Sequence, residues 1–150
     1  MPNLRADRAF FDWLRQISTA YGDAMAAWGQ AVHDAASAGV SPALLSATDS
    51  AIERLVQMLM SVGRQHDAPT TPDDGHDVLD ALDQLLGASA ELLREARAGL
   101  EGEGIAALAA LSPRIAALRE LEGGVERAAG RMRDRLGDTI ADATDGDATQ

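Results

Sequence analysis

The chain has 150 residues, a net charge of −11 from 13 basic and 24 acidic side chains, and no cysteine. Disulfides, thiolate metal sites and cysteine nucleophiles are thereby excluded, and the negative balance argues against direct contact with nucleic acid. Thirty alanines and eighteen leucines against 3 % aromatics favour helix over sheet, which needs more β-branched and aromatic side chains.

The N-terminal run Met1-Pro2-Asn3-Leu4-Arg5 lacks the apolar core of a signal peptide. No apolar run approaches the roughly 18 residues of a membrane span. A cytoplasmic location is expected, with export by a leaderless route left open. The first predicted helix covers residues 4–38. Phe10, Leu14, Ile17, Tyr21, Ala24, Trp28, Val32 and Ala35 recur at steps of three and four, the spacing of one helix face. Trp13 and Met25 widen that face. Gly39 suits the left-handed position after a helix end, and Ser41-Pro42 reads as an N-cap followed by proline in the first turn.

The second predicted helix covers residues 42–65, with Leu44, Leu45, Ile52, Leu55, Leu59 and Val62 on its face and Val56, Met58 and Met60 beside it. It ends in a polar stretch over residues 66–75, whose prolines, threonines and glycine mark the clearest loop of the chain. Thr71-Pro72-Asp73-Asp74 offers a cap and acids for the next helix start. That third helix, over residues 77–100, has the seam Val78, Leu82, Leu85, Leu86, Leu92, Leu93 and Ala96. Gly99, Gly102 and Gly104 interrupt it. The fourth covers residues 105–140, where Ile105, Leu108, Leu111, Ile115, Leu118, Val125, Ala129, Met132, Leu136 and Ile140 approach the heptad repeat of a coiled coil. Ser112-Pro113 either restarts this helix after a turn or kinks it. Residues 141–150 are small and polar and are expected to form a disordered tail. Four amphipathic segments on short connections predict an all-α, up-down-up-down four-helix bundle over residues 1–140.

Candidate chemistry is sparse. His66 and His76 flank the acidic loop with Asp67, Asp73, Asp74, Asp77 and Asp80. Imidazole and carboxylate together can bind a divalent metal, although acids beside a helix N-terminus need no metal to explain them. His33 stands alone on the first helix. Glu91, Glu95, Glu120, Glu122 and Glu126 lack the Glu-x-x-His spacing of a di-iron bundle. Phosphate loops, nucleophile elbows and dinucleotide glycine patterns are missing from the sequence. No catalytic, cofactor or metal residue is therefore assigned, and Ser89 reads as a small packing residue. Arg127, Arg131, Arg133 and Arg135 read as cations complementing a helix C-terminus; a docking patch for an acidic partner is the other reading.

All five aromatics fall between Phe10 and Trp28. Phe10, Phe11 and Trp13 span more than one helix face, so a single core cannot take all three. The run Phe10-Phe11-Asp12-Trp13-Leu14-Arg15-Gln16, followed by Tyr21 and Trp28, resembles the aromatic N-terminal helix of phasins. It is also similar to the accessory subunit of polyhydroxyalkanoate synthase. The likeness spans residues 10–28 and includes no catalytic signature. It implies a helical protein that coats an apolar granule or assists the synthase.

From the residues themselves, the expected function is a non-enzymatic interaction or assembly protein, partnered by another protein or by a second copy. The fourth seam outlasts the second helix by about 18 Å at 1.5 Å per residue, and an uncovered apolar stripe marks an interaction site. Contacts are expected at Phe11, Trp13, Met132, Leu136 and Ile140. The alternatives are phasin-like binding to a lipid or polymer surface, a metal-binding or enzymatic bundle using the loop His and Asp residues, and an acidic mimic of nucleic acid.

Overall fold

A computed structural model describes residues 4–69, 71–72, 75–102, 106 and 109–148; the side chains of Leu4, Ala6 and residues 135–148 are not among those described. Among the described residues four long helices follow one another: α1 Leu4–Ala38, α2 Pro42–His66, α3 Gly75–Gly102 and α4 Ser112–Ala148. The described residues contain no strand. Gly39 ends α1 with φ at +83°, a region that only glycine enters cheaply, and its N–H donates to the Ala35 carbonyl at 2.6 Å. Ser41 then caps α2, its hydroxyl accepting the Leu44 N–H at 3.3 Å, with Pro42 in the first turn.

The fourth helix starts later than the sequence predicts. It begins at Ser112, after a turn at residues 110–111, and not near Ile105. Ile105 and Leu108 lie outside the described residues. Pro113 has no N–H to give and suits a first turn, so the restart is the geometry it selects. The Leu111 carbonyl accepts both the Arg114 and Ile115 N–H groups and closes that turn. α3 meanwhile runs through Gly99 to Gly102, anchored near its end by buried Leu100, which packs with Ala35 and Leu44.

Cross-helix bonds fix the directions. Trp13 near the start of α1 meets Ser61 near the end of α2. Arg97 late in α3 pairs with Asp49 early in α2 at 3.3 Å. Arg114 at the start of α4 pairs with Glu95. Successive helices are therefore antiparallel, and the bundle is up-down-up-down. α3 lies at its centre. Leu85 and Leu86, and again Leu92 and Leu93, are all buried. Adjacent residues point about 100° apart on a helix, so this buried arc is too wide for one neighbour. α2 covers one side of it and α4 another, while Phe10 of α1 lies against Gly75 so closely that a Cβ there would sit 3.2 Å from the ring.

α4 outlasts the bundle. Arg114 lies level with Glu95, and Glu122 lies level with Tyr21 and Ser89. Stepping along the antiparallel pairs, Gly75 comes level with about residue 135 of α4 and Leu4 with about residue 139. About nine residues, roughly 14 Å of helix at 1.5 Å per residue, run past both neighbours. Backbone helix continues to Ala148.

Candidate functional site

The residues expected at an interface are placed differently from one another. Met132 is a core residue at 4 % exposure, which corrects its assignment to an intermolecular contact: α4 packs this face inward with Leu118, Val125 and Ala128. Phe11 and Trp13 are half-buried and pack on the core from its edge. The Trp13 indole N–H donates to the Ser61 hydroxyl at 3.2 Å, and its ring tilts against Phe10 with centres 5.4 Å apart. Phe10, Tyr21 and Trp28 are buried, so the aromatic stretch over residues 10–28 mostly faces the chain's own interior. Leu136 and Ile140 lie on α4, but their side chains fall outside the described residues. By sequence they continue the spacing of Leu118, Val125 and Met132, with Ile140 at the start of the overhang. Among large apolar residues, Met60 on α2 is the clearest exposed one, at 64 %.

The arginine group changes its meaning. α4 extends past residue 135, so Arg127, Arg131, Arg133 and Arg135 lie in mid-helix and cannot neutralise its C-terminal end, whose last turn holds no base. Arg127, Arg131 and Arg133 are exposed. Asp138, Asp142, Asp145 and Asp147 follow them in the sequence.

A polar cluster crosses the interior at a level where the sequence pattern suggests packing alone. Tyr21 on α1 donates its hydroxyl to Glu122 Oε1 on α4 at 3.1 Å and lies 3.1 Å from Ser89 Oγ on α3. Ser89 is fully buried and also donates back to the Leu85 carbonyl at 2.7 Å. Two hydroxyl protons thus serve three contacts. The Tyr21 proton goes to the carboxylate, since a charged acceptor makes the stronger bond, and Ser89 divides its own between Leu85 and Tyr21. Burial pushes the Tyr21 phenol from 10.0 up to about 12; the Ser89 hydrogen bond opposes this, and the Glu122 charge adds to it. The cluster ties α1, α3 and α4 at one level. The signal for it is a tyrosine at a seam position, because a buried phenol needs a partner for its hydroxyl.

The loop histidines come together. The His66 and His76 rings have centres 5.1 Å apart at 72°. Both are exposed, as is His33 on α1. Among the described residues no group of three or more His, Asp or Glu could hold a metal; Asp73 and Asp74 lie outside them. Between α3 and α4 an open cleft of about 210 Å³ has Ala88, Leu92, Leu118 and Leu121 as its floor and Glu91 and Arg114 at its rim.

These features define an all-α, four-helix bundle with an extended last helix. No helix among the described residues is long and apolar enough to cross a membrane. Comparison of the chain with family models, with curated proteins and with solved structures finds no significant match.

Proposed function

We propose that this chain is a non-enzymatic helical assembly protein that associates through the far end of α4. The observation that carries the reading is the overhang: α4 continues to Ala148, past the level at which α1 and α3 end. Isolated single helices are marginal in water unless they pack an amphipathic face. Ile140 falls at the start of that stretch and Leu136 one turn before it, each a step of four further along from buried Met132. A second copy is the partner favoured by the charge order, since four arginines precede four aspartates along the same helix. Two such helices laid antiparallel set each basic block against an acidic one.

Sedimentation velocity across a micromolar concentration series tests this. The full chain should sediment as a dimer or higher species. Leu136→Glu and Ile140→Glu should return it to monomer with an unchanged helical signal. A wild-type chain that stays monomeric throughout overturns the proposal. So does a chain that partitions onto lipid or polymer droplets in place of associating with itself.

A further inference from the structure

We infer that His66 and His76 form a two-histidine site for a borderline divalent ion such as Zn2+, clamping the end of α2 to the start of α3. His66 is the last residue of α2 and His76 the second of α3. They are ten positions apart in the sequence, yet their rings touch. Both sides of the loop are anchored. The Thr71 hydroxyl donates to the Gln65 carbonyl. The Ala68 N–H bonds the Gln65 carbonyl at 3.1 Å, and the Gly75 N–H bonds the Pro72 carbonyl at 2.9 Å. Phe10 packs on Gly75, the residue before His76.

The rings meet edge-on at a separation common to ring–ring contacts, and that separation is also short enough for both to reach one ion. An imidazole nitrogen binds zinc at about 2.0–2.1 Å, which leaves the ion about 3.2 Å from the ring centre. Two rings held at a tetrahedral angle of about 109° then have their centres about 5.2 Å apart. The observed separation is 5.1 Å. Imidazole suits zinc, nickel and copper and does not suit magnesium. The electrostatics agree. His66 lies in the last turn of α2, where the helix end favours positive charge, and a chain of net charge −11 draws cations toward its surface. Two protein ligands leave the remaining positions to water, so binding is weaker than at a closed four-ligand site. The ion is held by the folded form alone, because unfolding separates the two helix ends, and binding therefore raises the melting temperature.

The test is thermal melting and zinc titration of the full chain. Excess Zn2+ should raise the melting temperature by about 2–4 °C or more, on the scale of a 150-residue protein, and Mg2+ should not. His66→Ala or His76→Ala should weaken zinc binding by at least about ten- to a hundredfold, the cost of losing even an outer-shell partner. His33→Ala should leave both readouts unchanged. All three side chains are exposed, so the variants keep the fold. Equal responses to Zn2+ and Mg2+ would overturn the inference, as would a zinc response that survives the double variant. Zinc-driven association detected by sedimentation would also overturn it, since the histidines would then bridge copies and not helices.

Discussion

Tyr21 is the chain's one tyrosine, so any tyrosinate signal reports on the interior cluster alone. Its folded-state value is raised from 10.0 to about 12. The stability contributed by the neutral phenol is therefore complete below pH 10.0 and is lost as pH climbs towards about 12. An alkaline titration of near-ultraviolet absorbance should give a midpoint near 12 in the native chain and near 10 in denaturant. Tyr21→Phe should remove the excess alkaline sensitivity and cost about 0.5–1.5 kcal/mol at neutral pH, the net worth of a hydrogen bond. A native midpoint at the ordinary value would mean that the phenol is not buried. The helical spacing puts Tyr21 in the seam correctly, but it cannot supply the partners. Ser89 reads as packing because a small side chain among leucines has that appearance whether or not its hydroxyl is used. Glu122 lies one turn from Leu118 on a half-buried flank of α4, and only the placement of α1 shows what it meets.

At the scale of the element, caps and breaks are readable from sequence and exact faces less so. Gly39, Ser41 and Pro42 carry local chemistry that determines a helix end without tertiary help, and the α1–α2 break falls at them. The α2 face is obscured by one residue. Its buried positions are Leu44, Thr48, Ala51, Leu55, Met58 and Val62, at steps of four and three. A polar Thr48 masks that rhythm in the sequence, because its hydroxyl bonds the Leu44 carbonyl at 2.9 Å and so travels inward satisfied. Ile52 and Leu59, expected on the face, are half-buried at its flank. Two glycines in and after α1 should respond oppositely to the same change. Gly29 is helical and exposed with nothing within 4 Å of a built Cβ, so Gly29→Ala should stabilise by about 0.5–1 kcal/mol. Gly39 also has open space, but at φ +83°, so Gly39→Ala should destabilise by about 1–2 kcal/mol. Denaturant melts of the two variants check the signs. A stabilising Gly39→Ala would place the end of α1 elsewhere.

For the whole molecule, four periodic segments determine the fold class, and the apolar spacing alone reveals that the helices differ in length. The seam also places the excess at the end of the fourth helix, where Leu136 and Ile140 continue it. The start at Ser112, the restart that Ser112-Pro113 allows, leaves the excess at the C-terminal end of α4; the apolar spacing of Ile105 and Leu108 alone could not choose between that restart and a kink. That end is electrostatically unusual. Aspartates fill its final turns and bases do not, although a helix C-terminus disfavours negative charge. In the proposed dimer, an antiparallel register centred near residue 137 would offset this by bringing position 131 level with position 142 and position 135 level with position 138, so that basic residues meet acidic ones. An exposed pair contributes about 0.2–1 kcal/mol, and two-fold symmetry repeats each pair. Arg131→Asp or Asp142→Arg alone should therefore weaken dimerisation by up to roughly thirtyfold. The double variant Arg131→Asp with Asp142→Arg should recover most of the loss, and added salt should weaken the wild-type dimer. Sedimentation equilibrium of the four chains decides the matter. If the double variant associates no better than either single one, the helices do not meet in this register.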